Sequence, residues 1–103
     1  MASFADSYDL ATFQPFRKRV QVAVVKLAHY VIETEVLETE HHDKREYLAR
    51  LILQNADQWA GVFAMSVVTN PAITLESTDS DIEYTVNVMF NTHAGVSRIV
   101  ADE

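Results

Sequence analysis

Two glycines and two prolines, at positions 61, 95, 15 and 71, are all the backbone punctuation available to this chain of 103 residues. A sheet protein must turn every few residues, and its turns draw on glycine, proline and their neighbours. Long stretches without breakers, in which apolar residues recur every three or four positions, predict helices joined by short loops. The expected fold is therefore all-α: a small helical bundle of three to four helices in a single domain over residues 1–103. The length supports one domain and no second. It also limits the core, since a chain of this size hides roughly 60–70% of its unfolded surface.

Along the chain, residues 1–13 read as an N-terminal arm. Phe4, Tyr8, Leu10 and Phe13 could form a short helix there, capped by Ser3 or Asp6. Gln14-Pro15 should break it, because proline disfavours helical geometry in the residue before it, and Pro15 then suits the first turn of the next helix. From there Phe16, Val20, Ala23, Leu27 and Val31 repeat at helical spacing. Val22, Val25, Ile32 and Val36 widen the apolar surface, so this helix should sit at the domain centre or turn a second face to a partner. A polar connection is expected around residues 38–43. Asp43 with Glu46 makes a capping-box pattern for the following helix, whose inward face would be Tyr47, Leu48, Leu51 and Ile52. Asp57 could cap a further helix carrying Trp59, Val62, Phe63, Ser66 and Val67, stopped by Thr69-Asn70-Pro71. An extended linker over 72–77 leads to Thr78-Asp79-Ser80-Asp81, a helix-start signature with acids where the dipole favours them.

The last segment carries two patterns. Ile82, Tyr84, Val86, Val88 and Phe90 alternate as a strand would, whereas Ile82, Val86, Met89, Phe90 and His93 share one helix face. The capping signature, and the lack of an obvious partner strand over 82–92, favour helix. Gly95 should end it, leaving a tail at 96–103.

Composition removes several functions. Hydrophobic residues at 49% and charged residues at 22% exclude a largely disordered chain. With no cysteine there is no disulfide framework, thiolate metal site or cysteine nucleophile, which fits a reducing cytoplasm. No apolar run approaches the length of a membrane span, and the N-terminus has no signal-peptide pattern. The net charge of −7 is unevenly spread: +2 over 1–32, −4 over 33–57 and −5 beyond. An acidic chain is repelled by phosphate backbones, so no direct nucleic-acid binding is expected.

Candidate chemistry is sparse. His41-His42 beside Glu40 and Asp43 resembles a metal cluster, but adjacent helix positions point about 100° apart and cannot readily share an ion. His29 and Glu33 are better spaced and lack a third ligand. No metal and no cofactor are expected; His41 and His42 read as a solvated loop, His29 as a surface histidine. The carboxylates cluster at caps and in a connection, where nothing splits their pKa values for acid–base work. No serine sits in a nucleophile elbow, and two glycines cannot make a nucleotide-binding loop. The chain does not read as an enzyme. Its candidate interaction residues are the acidic run Glu33, Glu35, Glu38 and Glu40, the aromatic pair Trp59 and Phe63, and the basic triplet Arg17, Lys18 and Arg19. Each has a plainer reading: a solvated helix end, core packing, and bases answered by Asp6 and Asp9.

One resemblance adds to this. Phe-Arg-Lys-Arg-Val-Gln-Val-Ala-Val-Val at 16–25 leads to Ile-Glu-Thr-Glu at 32–35. His42, Arg45, Leu48 and Ala49 follow, then Gln-Asn-Ala-Asp at 54–57, a helix from Trp59 to Asn70-Pro71, and Thr-Asp-Ser-Asp-Ile at 78–82 before Val86-Asn87. This order, over about two-thirds of the chain, resembles a family of small all-helical proteins that tailed bacteriophages encode beside their virion structural genes. Tyr84, Val88 and Phe90 depart from the small residues which that pattern favours in its last helix. The resemblance carries over no catalytic residue. It implies a virion structural protein made in the host cytoplasm, either a head–tail connector or a capsid-associated component. Such a protein would contact other virion proteins and form a homo-oligomer in the assembly. Two alternatives come from other classes: an acidic inhibitor whose carboxylates mimic nucleic-acid phosphates, and a small bacterial adaptor domain.

Overall fold

The computed structural model describes residues 10–34 and 41–96. Four helices account for most of them: α1 (Leu10–Glu33), α2 (His42–Gln54), α3 (Ala56–Val67) and α4 (Asp79–Ala94). Among the described residues there is no strand. Helix α1 packs against each of the other three, so it is the centre of the bundle, one of the two places its apolar girth allowed. Its buried arc is Phe13, Phe16, Val20, Ala23, Val24, Ala28 and Val31, positions that return every three or four residues to one side of a helix.

Gln14-Pro15 does not break the chain. Residues 10–33 form one helix with Pro15 inside it. The proline nitrogen has no hydrogen for the Ala11 carbonyl, so one rung of the ladder is missing. Phe13 and Phe16 flank it, both buried and with rings 5.9 Å apart. Burying two such side chains contributes about 1.5–3 kcal/mol each, enough to outweigh one lost bond. The other end of α1 closes on Thr34, whose N–H and hydroxyl both donate to the Tyr30 carbonyl, at 2.9 and 2.7 Å. Val36, Glu35, Glu38, Glu40, and the arm and tail apart from residues 10–13 and 96, lie outside the described residues.

Helix α2 begins two residues earlier than its capping-box pattern suggests. His41 holds the cap position without a side-chain bond, and Asp43 lies within the first turn. Its inward face is His42, Leu48, Ala49 and Ile52. Tyr47 is not part of it and stands 68% exposed. Asn55 both terminates α2 and starts α3: its side chain accepts from the Gln58 N–H, so the cap is Asn55 rather than Asp57. After Val67 the chain from 68 to 78 makes successive turns, not an extended linker. The Ile73 N–H donates to the Asn70 carbonyl and the Ser77 N–H to the Thr74 carbonyl, which lets Ile73 drop into the core.

Residues 79–94 settle as a helix. Thr78 caps it by accepting from the Asp81 N–H at 3.1 Å, and Gly95 ends it at φ 80°, a left-handed value natural to glycine. The alternating apolar residues part accordingly. Ile82, Val86 and Phe90, four apart, are buried, while Tyr84 and Val88 face outward. Helix α4 runs alongside α1 in the same direction, tied by Arg19–Asp79 and Lys26–Glu83.

Candidate protein-contact surface

The basic triplet divides by helix geometry. Successive residues turn 100°, so Arg17 and Arg19 leave α1 on different sides and Lys18 points between them, away from the core. Arg17 reaches the start of α3, where its guanidinium donates to the Asp57 carboxylate at 3.3 Å and to the Asp57 carbonyl at 2.5 Å. Arg19 reaches the start of α4. It bonds the Asp79 carboxylate at 2.8 Å and the Ser77 carbonyl at 2.6 Å, with Leu75 at 3.4 Å. Two bases are thus spent joining α1 to the beginnings of two other helices. Among the described residues their acids are Asp57 and Asp79; Asp6 and Asp9 lie outside those residues. Lys18 alone of the three is exposed, with no polar partner among the described residues.

The aromatic pair is mainly interior. Phe63 is fully buried and Trp59 half-buried, with rings 6.2 Å apart. Phe63 meets Phe90 at 6.4 Å and His93 at 5.0 Å, and Trp59 presents an edge to His93 at 6.4 Å. His93 Nε2 lies 2.9 Å from the Ser66 hydroxyl. That hydroxyl also lies 3.1 Å from the Val62 carbonyl, to which it donates. Ser66 therefore accepts from His93, and the pair is a link between α3 and α4 rather than an activated nucleophile. Burial of the imidazole among these groups lowers the His93 pKa. Across from them, Arg45 of α2 lies over the Phe90 ring at 5.0 Å and donates to the Asn91 side chain. The Arg45 and His93 links were hidden in the sequence because each joins residues far apart in the chain.

His29, Glu33, His42 and Glu46 form pairs within their own helices. His42 is buried, at 4% exposure, and its Nε2 stands 3.3 Å from Glu46, so it is part of the α2 core and not a solvated loop. Glu46 also takes Arg50 at 2.6 Å, and that guanidinium holds the Glu46 carboxyl below its ordinary range against a smaller effect of burial. His29 and Glu33 pair at 3.4 Å on the surface. Among the described residues no three metal-ligating side chains converge. Among the described acids, Asp57, Asp79, Glu83, Glu46 and Glu33 each carry a basic or histidine partner.

What remains outward is apolar side chains on every helix. Val22 of α1 is 67% exposed; Tyr47 of α2, Val62 and Met65 of α3, and Tyr84 and Val88 of α4 are exposed too. Val22 is distinctive because shallow depressions flank it on both sides. One is lined by Lys18, Gln21, Val25 and Lys26, the other by Arg19, Ala23, Asp79, Ile82 and Glu83 where α1 meets α4. A side chain from another protein could straddle Val22 and seat in either. No helix among the described residues is long and apolar enough to cross a membrane. Comparison with protein families, with curated proteins and with solved structures finds no match for this chain.

Proposed function

We propose that this chain is a non-catalytic protein-binding module, and that its setting is the virion of a tailed bacteriophage, as a head–tail connector or capsid-associated component. The observation that carries the binding reading is Val22, a branched aliphatic residue left in water at the middle of the central helix between two depressions. Arg17, Arg19 and Lys26 are engaged in joining α1 to its neighbours, which favours helix faces as the means of contact. The virion setting rests on the ordered resemblance from residue 16 to residue 87. Other virion proteins are the expected partners, with further copies of the chain beside it. Quantitative mass spectrometry of particles purified from the encoding phage tests the setting. A fixed copy number per particle supports it: about a dozen copies indicate a connector ring, and on the order of hundreds indicate a capsid-lattice component. Absence from purified particles overturns it.

A further inference from the structure

We draw no further inference here: the strongest candidate, the outward face of α1 around Val22, already carries the proposed function, and with Lys26 answered by Glu83 beside it nothing in the structure shows what covers it.

Discussion

Arg17, Lys18 and Arg19 are adjacent and chemically alike, yet the fold gives them different work. Arg19 carries the most, holding one carboxylate and two carbonyls at the start of α4. Replacing it with alanine should cost about 1–2 kcal/mol, the range for a partly shielded charged hydrogen-bond group. Lys18→Ala should stay within about 0.5 kcal/mol of the parent. Urea midpoints of the two variants check the contrast. His93 makes a second prediction. Because burial lowers its folded pKa, the unfolded chain takes the proton first as pH falls. The stability that neutral His93 contributes is complete above its ordinary value of 6.5 and is lost as pH falls through that value towards the folded one. Thermal midpoints across that window should fall more for the parent than for His93→Gln, and parallel curves would contradict the assignment. The triplet was visible in the sequence as a cluster, but its roles were not. Which acids answer Arg17 and Arg19 depends on residues 40 and 60 positions away.

At the level of elements, the helices were largely legible because period and caps agree. Residues 79–94 show why. Apolar alternation alone favours a strand, but Thr78 and Gly95 mark both ends of a helix and the four-residue spacing of Ile82, Val86 and Phe90 fills its inner face. Thr78→Ala should cost about 1 kcal/mol through the lost cap, seen as a lower thermal midpoint. Boundaries set by packing were not legible. Pro15 is a local breaker, and local rules cannot register that the rings of Phe13 and Phe16 are both buried. Restoring the missing rung with Pro15→Ala should stabilise α1 by about 1–3 kcal/mol, measured by urea denaturation; a loss of stability would mean that the proline is required there. His42 and Tyr47 exchange their expected places for a related reason. A shift in where α2 starts and how it is rotated turns a histidine inward and a tyrosine outward.

As a whole molecule, the chain is a bundle organised around one helix. The mildly basic first third and the acidic remainder of the sequence meet, among the described residues, in three ion pairs. Folding sets Asp57, Asp79 and Glu83 beside Arg17, Arg19 and Lys26. Long-range charge is therefore a poor guide to its partner, and the contact surface has to be sought in exposed apolar residues. That surface was legible only as a general excess of apolar residues on the first long helix. Of Val22, Val25 and Ile32, Val22 alone is largely exposed, because α2, α3 and α4 cover the rest of α1 to different extents.

Val22→Asp separates folding from binding, since the new carboxylate lies on an exposed stripe one turn before Lys26 and should leave the helix intact. Competition between this variant and the parent for incorporation into phage particles, both supplied equally and quantified by mass spectrometry, is the most direct measurement. With unchanged circular dichroism for the variant, the account predicts that the parent is enriched about tenfold, the equivalent of about 1.4 kcal/mol of contact energy. Equal incorporation of the two would contradict Val22 as the contact, and the absence of both from the particles would contradict the virion setting.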